Sequence, residues 1–366
     1  MGKIARKKRL RNKQRVRGLF DEIEMVERLK ELGDPLEKLS RRIDFEVFRE
    51  TLDEIYTKSD RKSSAGAKPF DYVLMFKILL LQRMYNLSDE QMEFQITDRH
   101  SFRRFVGLEF SHKVPDAKTI WLFRDRLKED ENERRLFERF SQELERKRLI
   151  VSNGKMVDAS FHEVPRSRNN REENAVIKKG AIPVDWKNEN KREQKDTDAR
   201  WTKKNNVSFY GYKNHIKADA GSKLIEDYAV TPANVHDSQT LERLLTDKDA
   251  GQNLFADAAY VGQEAAVEKA KMENLIHEKG YKNKPLTDEQ KETNRGKSKI
   301  RARVEHIFGF IENSLHGAQI RSIGIKRATA NIGITNLVYN ICRAVWLKID
   351  MFAEEMSGQN CVQTAI

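Results

Sequence analysis

The chain has 366 residues, with 69 Lys or Arg against 57 Asp or Glu and a formal charge of +12, a balance suited to a protein that meets phosphate backbones. That length leaves room for two or three domains with at least one sizeable core. Cys342 and Cys361 are the only cysteines and lack metal-ligand spacing, which excludes a disulfide framework and a zinc site.

Residues 1–18 read as a basic disordered arm: 3–17 contain no acid, and Lys7, Lys8, Arg9 and Arg11 are candidate DNA contacts, the plainer reading being a solubilising tail. The arm runs into Asp21-Glu22-Ile23-Glu24 rather than an apolar stretch, so no signal peptide is expected. From 19 to 57 apolar residues fall at helical spacing, with Gly33-Asp34-Pro35 as a break. Arg61-Lys62-Ser63-Ser64-Ala65-Gly66-Ala67 reads as a hinge. Helices are then expected over 70–82, 88–95, 101–106 and from 118 to about 148. Their N-caps would be Ser88 with Gln91, Asp98 or Ser101, and Asp116 beside Thr119. The longest apolar run, 72–81, is interrupted by Lys77 and too short to cross a bilayer, so a cytosolic protein is expected. Arg99, Arg103 and Arg104, clustered beside Phe102 and Phe105, suit a helix-turn-helix-like DNA-binding unit, although any small helical bundle reads similarly. Residues 19–150 are therefore taken as a helical, DNA-end-binding region.

The second half changes character. Strands are expected over 151–159, 208–218, 223–230, 253–257 and 274–280, with a hairpin turn at Asp219-Ala220-Gly221-Ser222. Helices are expected over 238–246, 262–272 and from 288 past 305, and 328–349 reads as a core helix closing a domain that spans 151–348, before a tail at 349–366. Residues 166–206, with Trp186 and Trp201, read as an insertion, either a mobile or a substrate-contacting loop. The fold class is α+β, a helical region followed by a mixed sheet with helices on its faces.

Three acids stand out within this order. Asp158 and Asp257 read as strand-end carboxylates, and Glu305 lies on a helix one turn after Arg301. Such a set can hold a pair of hard divalent cations for phosphodiester chemistry. The ordinary alternative makes the aspartates turn or cap residues and Glu305 half of a helix-face ion pair. His306 is read as a packing residue, and His236 as a cap shared with Asp237.

Taken together, Val157-Asp158-Ala159-Ser160, Gly211-Tyr212-Lys213-Asn214-His215, Asn234-Val235-His236-Asp237, Ala256-Asp257-Ala258-Ala259-Tyr260 and Arg303-Val304-Glu305-His306-Ile307-Phe308-Gly309 resemble a DDE transposase of bacterial insertion sequences, in the insertion-sequence-five family of the insertion-sequence-four group. The resemblance spans roughly 70–345. It implies a ribonuclease H-like catalytic domain, two Mg²⁺ ions with Mn²⁺ able to substitute, and strand cleavage followed by strand transfer. It implies Asp158, Asp257 and Glu305 as catalytic metal ligands, and double-stranded DNA, both insertion-sequence ends and target, as the partner of a homodimer or larger assembly. A cytoplasmic, nucleoid-associated location and no membrane contact go with it. In the wider group a tyrosine, an arginine and a lysine flank the glutamate; Arg301 matches, whereas Ser298 and Glu312 stand at the other two positions, with Lys297 the stand-in. Lys297, Arg301 and Arg303 are the DNA contacts expected on this helix. The rival readings are a ribonuclease H-like nuclease that cleaves without joining and a DNA-binding regulator derived from a transposase.

Overall fold

The computed structural model describes residues 21–57 and 68–351, apart from 110, 151–153, 166, 187, 205, 282 and 350. The basic arm, the hinge around 61–67 and the end of the tail lie outside these.

The helical half comprises α1 (Asp21–Glu31), α2 (Pro35–Arg42), α3 (Arg49–Thr57), α4 (Tyr72–Met84), α5 (Asp89–Asp98), α6 (His100–Val106), α7 (Ala117–Arg126) and α8 (Asn132–Arg146). Local chemistry sets several of its boundaries. Ser88 and Gln91 form a reciprocal capping box on α5, and Asp116 accepts from the Thr119 N–H on α7. α6 departs from expectation: Arg99 stands at its N-cap without a side-chain bond, in place of Asp98 or Ser101. The helix expected to run on to 148 is broken, with Asp130 and Glu131 in left-handed conformation. α4 is apolar on nearly every side, with Val73, Met75, Phe76 and Ile78 to Leu81 all buried, as a helix at the centre of a bundle must be.

The second half is built on β1 (Lys155–Glu163), β2 (Arg200–Lys204), β3 (Val207–Asp219), β4 (Ile225–Pro232), β5 (Asn253–Phe255) and β6 (Glu273–Asn274). β3 runs antiparallel between β1 and β4, and β1, β5 and β6 are mutually parallel, while β2 pairs with the first residues of β3. The six strands form one mixed sheet. The hairpin turn after β3 forms where expected, closed by Asp219 Oδ2 accepting from the Gly221 and Ser222 N–H groups.

Segments 166–206 fold rather than forming a loop. α9 (Arg171–Lys178), α10 (Glu189–Glu193) and β2 lie within them, Trp186 is buried with its indole N–H 2.7 Å from Glu173 Oε1, and Asp196 accepts from Tyr212 Oη at 2.7 Å and from the Gly324 N–H at 3.0 Å. Beyond β4, α11 (Leu241–Leu244) and α12 (Glu264–Lys269) are shorter than their patterns suggested, and the strand expected over 274–280 shrinks to β6. α13 (Asp288–Arg301) and α14 (Arg303–Gly309) replace the single long helix expected from 288, parting at Ala302.

The helix expected to close the catalytic domain, α15 (Ile325–Trp346), has a larger role. It packs against β4 on one side and α2, α4 and α8 on the other, so one core runs from Leu36 through Phe76, Phe140 and Ile216 to Leu337 and Ile341. Asn340 pins it in place: Oδ1 accepts from the Ile225 N–H at 2.9 Å and Nδ2 donates to the Ile225 carbonyl at 2.7 Å. These are backbone groups of β4 that have no strand partner on that side. Among the described residues no helix is long and apolar enough to cross a membrane.

Candidate active site

β1 and β5 run side by side with Lys155 opposite Leu254 and Met156 opposite Phe255. Asp158 and Asp257 each stand two residues beyond the second pair, so strand alternation sends both carboxylates to the same face. α13 and α14 cross that face. Asp158 is not at a strand tip: β1 continues to Glu163, and Asp158 sits in its middle with Oδ1 2.8 Å from the Ala159 N–H. Asp257 lies two residues beyond the end of β5, short of which the strand expected over 253–257 stops, and it caps the following 3-10 turn, Oδ1 accepting from the Ala259 N–H at 2.8 Å.

The third acid joins them through an arginine. Arg301 Nη1 donates to Asp158 Oδ2 at 2.9 Å, and Nη2 donates to Glu305 Oε1 at 3.0 Å. The planar fork of a guanidinium can bridge two carboxylates in this way; an ammonium cannot hold the same geometry. Asp257 as a cap and Glu305 as a helix-face partner are what the ordinary reading anticipates. That reading gives no reason for the same guanidinium to reach a carboxylate on the central strand 143 residues away in sequence.

Burial pushes the Asp158 carboxyl up to about 6; the Asp257 charge adds to this, while the Ala159 N–H, Arg301 and Lys204 oppose it. Two carboxylates thus face each other at a cost that a cation between them relieves. The donors are hard anionic oxygens, the type Mg²⁺ or Mn²⁺ takes. As placed, they do not converge: among the described residues no three acidic, His or Cys side chains are spaced to hold a metal ion. Arg301 stands between Asp158 and Glu305, and the Glu305 side chain, held by Arg301, is 63% exposed.

Three neighbours escaped the sequence reading. His277 donates its backbone N–H to the Ala256 carbonyl beside Asp257, and its Nε2 lies 3.3 Å from Ser298 Oγ. Burial, with Arg301 and Lys297 nearby, holds its imidazole below the usual range. Lys204, at the end of β2, is near enough to favour the charged form of Asp158. The Tyr260 hydroxyl is buried without a partner and feels Asp158, Asp237 and Asp257. No periodicity marks such residues; only their position after a strand-end acid or in a hairpin insertion hinted at them.

The expected DNA contacts are dispersed. Lys297 donates to the Ile276 carbonyl at 3.0 Å, and Arg303 turns away from the carboxylates to the Ala220 carbonyl at 2.9 Å. Arg103 is buried, its guanidinium donating to the Glu109 and His112 carbonyls, and Arg104 pairs with Asp34 at 2.5 Å. Both side chains are engaged within the helical half: Arg103 because a buried guanidinium must spend its donors internally, and Arg104, half-buried, through the buried carboxylate of Asp34. Arg99 is exposed and lies over the Phe102 ring at 5.1 Å. Lys7, Lys8, Arg9 and Arg11 fall outside the described residues. His236 caps the turn at 237–240, as expected.

A mixed sheet with one acid in the middle of β1, a second just beyond the parallel strand β5 and a third on a crossing helix is an arrangement suited to metal-dependent phosphodiester chemistry. The chain belongs to the transposase DDE domain family, whose model matches residues 153–341, and residues 24–126 match a second model described as a transposase domain (DUF772). It is thus a DNA transposase, a polynucleotidyl transferase that depends on divalent metal. The chain is also similar to a piggyBac transposase solved by cryo-EM as a synaptic complex with hairpin DNA, at 11% identity and a TM-score of 0.40, over 81% of this chain and 73% of that one.

Proposed function

We infer that the protein binds the ends of an insertion sequence of the insertion-sequence-five kind, cuts the strand there and joins it to target DNA, using Asp158, Asp257 and Glu305. The observation that carries this is Arg301 gathering Asp158 and Glu305 beside Asp257. Two Mg²⁺ ions held by the three carboxylates would supply the polarisation of the scissile phosphate and the activation of the attacking oxygen. The chain's own residues do the rest. The Ala159 and Ala259 N–H groups fix Oδ1 of each aspartate, and Asp158 Oδ2 is held by Arg301. Arg301 neutralises Asp158 and orients Glu305 before DNA arrives, and Lys204 and Lys297 raise the positive potential around the site. The helical region, with Arg99 exposed, and the basic arm position the duplex, and a homodimer or larger assembly pairs two ends.

Incubating the protein with labelled end duplex and a supercoiled plasmid target in Mg²⁺ tests the reading. Joined product is expected; cleavage without joining returns the nuclease reading.

Arg301→Ala should lower cleavage about 100-fold or more, a far larger effect than on the melting temperature, because the arm to Glu305 is solvent-facing and a buried Asp158 carboxyl that loses its partner can take up a proton. Arg301→Lys should recover only part of the rate. A fully active Arg301→Ala would reduce the bridge to an ordinary surface pair.

The raised Asp158 carboxyl also sets a pH dependence. Above about 6 it is ionised and ready for a cation; below, a proton must first be displaced. Mg²⁺ or Mn²⁺ affinity, measured calorimetrically, should fall about tenfold between pH 7.5 and pH 5, and Asp158→Asn should lose that dependence along with most of the affinity.

A further inference from the structure

A cleft of about 550 Å³ lies between the two halves, walled by α4, α7, the loop at 319–323 and the first turns of α15. Arg83 and Arg321 meet there. Arg83 donates only to neutral acceptors, Asn331 Oδ1 at 3.2 Å and the Leu315 carbonyl at 2.8 Å, and its Nε is sealed from solvent without a partner. Arg321 is exposed, and among the described residues neither guanidinium makes an ion pair. Ser322 Oγ, on the same loop, is likewise buried and unpartnered. The other cations of the cleft are already neutralised: Arg124 by Asp89, and Lys128 and Arg327 by Asp125. Glu193 is the remaining acid on the wall.

Two guanidiniums lining one cleft, near enough for the charge of Arg321 to be felt at Arg83 and neither paired with a carboxylate among the described residues, carry a cost, and an anion placed there removes it. Burial, with the charge of Arg321 added, pushes Arg83 down to about 10. The cleft is tied to the candidate active site by the sheet. The Glu163 carbonyl accepts from the Ile320 N–H, and the Glu163 N–H donates to the Ala318 carbonyl, both at 2.8 Å, so the loop springs from the far end of β1. His162, on the same face as Asp158 by strand alternation, lies close enough to Arg83 for the two to interact. Five residues of strand separate Asp158 from Glu163, about 17 Å, or roughly five base steps along a duplex.

We propose that Arg83, Arg321 and Ser322 form a phosphate-binding subsite that grips one backbone phosphate of the DNA being processed, a few nucleotides from the bond cut. This rests on the transposase reading and adds where the substrate is held. The neighbouring Trp121, 42% exposed on the cleft wall, offers an aromatic surface beside it.

The test uses end duplexes in which a single phosphate is replaced by an uncharged methylphosphonate, moved one position at a time. Wild type is expected to lose about tenfold in affinity at one position or two adjacent ones, and Arg321→Ala to bind those duplexes and the unmodified one equally. The salt dependence of Arg321→Ala should be shallower by about 0.9 in log-log slope, while a charge-loss control elsewhere, Lys248→Ala, keeps the position-specific loss. Sensitivity identical in wild type and Arg321→Ala at every position overturns the proposal. Inorganic pyrophosphate raising the melting temperature of wild type but not of Arg321→Ala, with no coupled position on DNA, assigns the cleft to a free phosphate compound and also overturns it. A protein that binds no duplex even at low salt overturns the transposase reading itself.

Discussion

Asp158→Asn, Asp257→Asn and Glu305→Gln are each expected to lower strand cleavage and joining by about a thousandfold or more, with end binding changed less than about threefold. The three acids are the anionic donors the site can offer a cation, whereas duplex binding draws on surfaces elsewhere. Stability separates this from a structural role. The folded Asp158 carboxyl titrates at about 6 against an ordinary 3.8, so its charged form is disfavoured in the folded state. The resulting loss of stability is absent below about pH 4, grows as pH rises towards 6 and is complete above that. That difference corresponds to at most about 3 kcal/mol at pH 7.5, with the Arg301 pairing already included. Metal-free Asp158→Asn should therefore melt at or above the wild-type temperature, and divalent cation should raise the wild-type value only. Joining at near wild-type rate by any of these variants would remove that residue from the site; a large fall in melting temperature for Asp158→Asn would mark it as a structural aspartate.

Gly211→Ala is expected to abolish folding or to cost more than about 4 kcal/mol, by the steric mechanism that produces the largest point-mutant effects. Gly211 pairs with Glu163 on β1 and with Arg200 on β2, at φ +151°, and a Cβ there would lie 2.2 Å from the His162 carbonyl oxygen and 3.0 Å from the Val164 N. Those atoms are backbone and cannot turn aside; relief would require separating β1 from β3, the pair that carries Asp158. Gly251→Ala provides the comparison. Its φ of +77° is also unfavourable to a side chain, but nothing lies within 4 Å, so it should cost only about 1 kcal/mol. Urea denaturation giving similar losses for the two variants would show that the close approach at Gly211 does not constrain the sheet.

The capping box of Ser88 and Gln91, the Asp116 cap and the hairpin at 219–222 are legible in the sequence because each is settled within a few residues by hydrogen bonds between a side chain and nearby backbone. The order of strands and helices, and the three acids with their motifs, are legible for a related reason: strand alternation and helical spacing are local periodicities. Element lengths were harder. β1 runs four residues past the expected end, and the helix expected from 288 parts at Ala302, because neighbouring strands and helices decide where pairing and packing stop.

The sequence by itself thus determined the α+β class, the acids and the chemistry their type permits. Only the tertiary structure decided that Arg301 spans Asp158 and Glu305, that Arg103 and Arg104 are spent inside the helical half, that 166–206 fold onto the sheet through Asp196, and that α15 is shared by both halves. A charged side chain reads the same in sequence whether it meets water, a buried carbonyl or a carboxylate 143 residues away, and which of these it meets depends on long-range packing that no local pattern encodes.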